Sequence, residues 1–255
     1  MGRWGWRLFE GDQDLDIACA LPKSLSIKNT GKWLHSLSEM IHQTDKLAPQ
    51  GAREIYKTQE YVDELANEIV PWVRTKLNTD NLGDRLFAAS RARESEQDAF
   101  PPNEYKIIVL GALMMRAGAK IKNEDLQHLR ELVPRIHCSA GYALPIGDEG
   151  FRAPGRAQFL AALDHYQEGV PRNFQEPSYF HCGQVKGDVG HGLLVCGRCK
   201  GACCVNVIIG RTIDLAVFLL GAAGCLMFDG SVMIEFPVRP VGGIMNTEDV
   251  DIGVQ

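Results

Sequence analysis

The chain carries little net charge and no run of basic residues. Its 27 Lys and Arg stand against 32 Asp and Glu over 255 residues, a formal charge of −5 with a pI near 5.8. That balance argues against a dedicated nucleic-acid binder, which would show a basic surplus on one face. Long apolar runs are missing too. The longest uninterrupted one, residues 215–228, is shorter than the roughly 20 residues a bilayer span needs, so membrane crossing is not expected. At the start, Trp4, Arg7, Glu10 and Asp12 break up any apolar stretch, and no secretory leader is expected. Neither a phosphate-cradling glycine loop nor a G-x-S-x-G nucleophile turn occurs. What remains is ordinary for a globular chain able to bury a real core: 45% hydrophobic and 23% charged residues.

Cysteine, by contrast, is plentiful and uneven. Of eight cysteines, five (Cys182, Cys196, Cys199, Cys203 and Cys204) fall with His181 and His191 in the glycine-rich stretch 179–204, YFHCGQVKGDVGHGLLVCGRCKGACC. Cys196-Gly-Arg-Cys199 is a C-x-x-C knuckle, a turn that lets two thiolates face one tetrahedral metal ion while its backbone amides stabilise their charge. Thiols clustered at metal spacing, in a chain without a leader, read as reduced, so the cytoplasm or nucleus is the expected location. Zinc is the metal this pattern suits.

Residues 182–183, then 193–202, then Cys204 resemble the first half of a MYND-type zinc finger, in the form found at the end of certain fungal proteins. The resemblance implies two zinc ions held in an interleaved arrangement by four pairs of Cys or His, and a role chiefly in protein interaction. By position, Cys182 matches the second ligand, Cys196 and Cys199 the third and fourth, and Cys204 the fifth. The chain departs from the pattern elsewhere. Tyr179 stands at the first ligand position, Cys203 where a tyrosine is usual and Ile208 at the sixth. No histidine follows His191, and only Cys225 remains for a last pair. Interleaving would make Cys182 with Cys204 half of one site and Cys196 with Cys199 half of the other. A structural zinc ion usually takes four protein ligands, so two outcomes are open. One is a single merged site of Cys182, Cys196, Cys199 and Cys204, with Cys203 or His181 as substitutes. The other is a degenerate site, the second half of the finger being replaced by unrelated sequence.

The rest of the chain reads as helical. Asp12, Asp14 and Asp16 imitate a calcium loop, but Ile17 and Lys23 stand where a glycine and a bidentate Glu are wanted, so these acids are expected to begin a helix. The W-G-x-x-x-F-x-x-D-x-x-L-D opening (residues 4–16) is similar to that of a small family from bacteria and fungi with no activity attached. Its tryptophans and Phe9 are expected to dock on the core. Trp33, Leu34, Leu37, Met40 and Ile41 share one helical face; Ile55, Val62, Leu65, Ile69, Val73 and Leu77 form a second stripe that Pro71 should kink or divide. His35 and His42 have no partner at metal spacing and read as surface residues. Residues 81–92 suit a short helix, 91–98 a solvated loop closed by Phe100-Pro101-Pro102. The apolar run 105–119 exceeds usual strand length and is predicted helical. Asn123 is expected to cap a helix bearing Leu126, Leu129, Leu132 and Val133 and stopped by Pro134. Residues 136–151 read as loop; adjacent His137 and Cys138 point apart, and no dyad is expected. Pro154 opens a last helix with Phe159, Leu160, Leu163 and Tyr166 inward, ending near residues 169–171. The segment around residues 151–160 is also similar to one in the same fungal proteins.

The expected fold is therefore mainly α: a multi-helix domain (1–171), a small irregular cysteine-rich zinc-finger-like module (172–204) and an apolar tail (205–255). The expected function is a zinc-binding protein-interaction module on a helical scaffold, with a protein or peptide partner and no catalysis of its own. The alternative is a protein-lysine methyltransferase with an inserted finger of this type, although no N-H-S-C-like segment or other methyltransferase signature is present.

Overall fold

The computed structural model describes residues 5–24, 35–41, 54–96, 99–139 and 150–193. All belong to the first of two compact units, Met1–Ile213. The described residues are mainly helical, as expected. The longest helices are α1 (Asp12–Ser24), α2 (Gln59–Glu64), α3 (Val70–Asn78), α4 (Leu82–Ala92), α5 (Asn103–Ala117), α6 (Asn123–Leu132) and α7 (Ala153–Asp164), with a single turn, α8 (Lys186–Val189), near the end. The tail 205–255 lies outside the described residues. No described helix is long and apolar enough to cross a membrane.

The centre is α5. Of its 15 residues only Glu104 and Lys106 are not buried, which is why its sequence shows almost no amphipathic contrast. Helices α1, α3, α4, α6 and α7 all pack on it. Close approach of α6 requires Gly111, where a Cβ would lie 2.6 Å from Leu129 Cδ1. Each Ile, Leu or Met side chain buried here contributes about 1.5–3 kcal/mol. Tyr166 ties the α5–α6 connection to α7: its hydroxyl donates to Ala119 O at 2.6 Å and accepts from Ile121 N at 3.0 Å.

Of the opening aromatics, Phe9 docks on the core as expected, Trp6 is half-buried and Trp4 lies outside the described residues. Leu8 and Phe9 are 1% exposed, with Phe9 edge-on to Phe174 at 5.2 Å. The loop before α1 closes on Glu10, whose carboxylate accepts from the amides of Trp6 and Arg7 at 2.9 and 3.0 Å. Arg152, fully buried, donates to Gly5 O at 2.8 Å. Gln158 accepts from Leu8 N and donates to Phe174 O, linking the opening loop, α7 and the segment after it.

Three local expectations change, and the expected break at Pro71 takes the form of a π-turn. The second apolar stripe is buried only from Ile69 onward; Ile55 and Val62 are 55% and 43% exposed, because this end of the helix overhangs the core. Pro71 is preceded by a π-turn at Leu65–Ile69, in which the N–H of Val70 reaches Leu65 O; the wider turn absorbs the bond that proline cannot donate. Lys122, extended at φ −68° and ψ 149°, is the N-cap of α6, and Asn123 is its first helical residue. The loop 136–151 contains a short parallel pairing of β1 (Cys138–Ser139) with β2 (Phe151–Arg152). In addition, α7 ends at Asp164, earlier than expected.

Candidate functional site

The sequence-derived ligand set begins in residues 172–193, which lie along the helices as irregular chain held at several points. Arg172 N donates to Met115 O at 2.9 Å, at the end of α5. Phe174 is 1% exposed, within the same core as α5. The Arg172 guanidinium grips Asp188 through two bonds of 2.6 and 2.7 Å, and Val185 N adds a third at 3.0 Å. Burial pushes the Asp188 carboxyl up, but these bonds and the Arg172 charge outweigh it and hold it below the usual carboxylate range.

Between these anchors the chain turns back on itself. Ser178 and Val185 form an antiparallel bridge, Tyr179 N donates to Gln184 O at 2.8 Å, and Gly183 N donates to Tyr179 O at 2.8 Å. Gly183 has φ +72°, and a Cβ there would lie 2.2 Å from Ala157 O on α7. Only glycine serves both the left-handed turn and the contact. Phe180 meets Trp6 edge-on at 6.0 Å, and Arg7 Nη2 reaches Ser178 O at 3.5 Å. The result is a tight five-residue turn, Tyr179-Phe-His-Cys-Gly183, braced from below.

Cys182 sits half-buried in this turn, its thiol donating to Gln184 Oε1 at 3.4 Å. Such a weak bond leaves the sulfur able to become a thiolate ligand. Tyr179, at the first ligand position, is 2% exposed, and its hydroxyl has no hydrogen-bond partner among the described residues. It is a core anchor and does not suit a ligand. His181 is exposed, and His191 Nδ1 lies 3.0 Å from Gly192 O. Cys196, Cys199, Cys203 and Cys204 lie outside the described residues, as does His42. Among the described residues, no group of three or more His, Cys, Asp or Glu side chains could hold a metal ion.

His35 is paired with Glu39 at 2.8 Å and stands edge-on to Trp72. The ring of His137 turns to Ser139 Oγ at 3.3 Å, while Cys138 pairs with Phe151 in the β1–β2 ladder.

Sequence reasoning gave no weight to Arg116, in the last turn of α5. It is 2% exposed, donates through Nη2 to Gln175 Oε1 at 2.8 Å, and has no partner for Nε or Nη1 among the described residues. Burial lowers its pKa to about 10 despite the opposing influence of Tyr61. The one sequence signal is a cation that interrupts the apolar run after Lys106.

The fold places the chain among mainly helical proteins. Comparison with protein-family models, curated proteins and solved structures finds no match.

Proposed function

We propose that the chain is a zinc-binding protein-interaction module on a helical scaffold, without catalysis of its own. Zinc would be held by Cys182, Cys196, Cys199 and Cys204, and its role is structural: four thiolates around one tetrahedral ion would fix residues 182–204 as a rigid surface. The observation that carries this reading is Cys182, an accessible thiol on a turn closed by Gly183 and braced by α7 and the opening loop. A ligand on a pre-shaped turn lowers the ordering entropy that a metal must offset. The surface would meet a protein or peptide, not nucleic acid or membrane, in the cytoplasm or nucleus.

The test is the metal content of the full chain purified under reducing conditions. One zinc per chain is expected, with loss on Cys196→Ser or Cys199→Ser. A metal-free unmodified chain ends the proposal. Titration with S-adenosylmethionine is expected to show no binding; saturable binding would favour the methyltransferase alternative.

A further inference from the structure

A second site lies away from the cysteine stretch. Helix α1, the end of α4 and the start of α5 enclose a cleft of about 380 Å³, within the size range of small-molecule pockets. Its inner wall is apolar, formed by Ile17 and Leu21, 4% and 5% exposed, and Phe100 stands at the mouth, 58% exposed. Of the polar residues that also line the cleft, two have donors left over. Gln13 is 6% exposed, and its Nε2 finds no hydrogen-bond partner among the described residues. Lys106 Nζ is bonded to Asn103 Oδ1 at 2.9 Å, and Asn103 is itself fixed by donating to Arg93 O at 2.7 Å. An ammonium has three protons, so this bond leaves donors over. Burial, reinforced by the Arg93 charge, lowers the Lys106 pKa, as expected where a cation is short of counter-charge.

Three other charged groups line the cleft: Arg93, Glu96 and Asp16. Glu96 is engaged by Arg93 Nε at 3.3 Å, and both are exposed at the rim. Asp16 is exposed at the other side, its carboxyl pushed up by partial burial and by Asp12. Among the described residues the buried unpartnered group of the cleft is a donor, the Gln13 amide N–H₂, and Lys106 adds an ammonium beside it above an apolar floor. A buried donor left unpaired is costly, and an acceptor-bearing guest removes that cost.

We propose that this cleft binds a small monocarboxylate with an apolar tail. Lys106 Nζ and Gln13 Nε2 take the carboxylate, and Ile17, Leu21 and Phe100 line the tail. The site is independent of the cysteine segment.

Isothermal titration of the full chain with octanoate tests it, with octan-1-ol and octylamine as the uncharged and charge-reversed controls. Octanoate is expected to bind saturably at one site, at least 10-fold tighter than either control. Lys106→Met should weaken octanoate about 10- to 100-fold while leaving octan-1-ol unchanged, the range expected for losing a charge-assisted bond. Gln13→Leu should weaken octanoate by a smaller factor. No saturable octanoate binding at millimolar concentration overturns the assignment. So does equal binding of octanoate and octylamine by the unmodified chain, which is read without any variant and so does not depend on the variants folding. Undiminished octanoate binding by Lys106→Met would do the same.

Discussion

Tyr105 donates its hydroxyl to Asp14 Oδ1 at 2.9 Å, joining residues 91 positions apart in the interior, while Phe9 N donates to Asp14 Oδ2 at 2.8 Å. Asp14 is fully buried, so α1 is fixed to α5 by a hydrogen bond in a low-dielectric setting. Tyr105→Phe keeps the ring and its edge-on contact with Phe151 but removes one donor from a buried carboxylate. Urea unfolding should show a loss of about 1.5–3 kcal/mol. A change below a few tenths would show that the Tyr105–Asp14 bond does not hold α1 to α5.

The Arg172–Asp188 pair makes a pH prediction. Its side chains are 12% and 5% exposed, and the Asp188 carboxyl sits below its unfolded value. The stabilisation is thus complete above the unfolded pKa near 4 and is lost as pH falls through the lower folded pKa. Hydrogen exchange at the amides of Tyr179 and Gly183 should stay slow from neutral pH down to about 4 and accelerate below it, beyond the intrinsic pH dependence of exchange. Asp188→Asn should abolish that dependence and, by leaving Arg172 without its partner, lower stability by about 3 kcal/mol. An unaltered acid profile in the variant would assign the effect to another carboxyl group.

How much of this was legible beforehand follows from the range of each interaction. Helix α5 was visible because its apolar run exceeds strand length, and α1 because acids gather in its first turn. Periodicity could not tell where the core stops, so Ile55 and Val62 were read as inward when they are exposed. The β1–β2 pairing involves two residues per strand and leaves no alternation to read. Cys182 stood out through its neighbours in sequence, whereas the groups bracing its turn, Trp6, Arg7 and Ala157, are distant in the chain. Gln13 and Lys106 went unnoticed for a related reason: one polar residue in a helix reads as a solvent face until the fold brings two to one cleft.

Arg116 is a buried cation with two donors that have no partner among the described residues and a pKa depressed to about 10. Replacing such a charge with an apolar side chain of similar length removes a desolvation cost and gives up the bond to Gln175 and the contact of the guanidinium with the Phe9 ring. Arg116→Met is therefore expected to leave thermal stability within about 1 kcal/mol of the unmodified chain, or to raise it. Arg152→Met, which severs the bond to Gly5 O from a fully buried position, should lower it clearly. Equal large losses from both would show that Arg116 has a counter-charge in the folded protein.

Gly183 separates the contribution of the turn from that of the proposed zinc. Alanine there meets both a left-handed backbone at φ +72° and the carbonyl of Ala157 at 2.2 Å, so the turn must shift away from α7. Strain of this kind costs roughly 1–3 kcal/mol before the contact is counted. The cysteines themselves are untouched by Gly183→Ala. If the pre-shaped turn assists zinc, the variant should bind zinc more weakly than the unmodified chain while keeping one ion per chain at saturating metal. Removing zinc from the unmodified chain with a chelator should in turn leave the helical circular dichroism almost unchanged, because Phe174, Tyr179 and the Arg172–Asp188 pair hold residues 172–190 without it. Cooperative loss of the helices on chelation would reverse that order of dependence, making the metal a requirement for the scaffold.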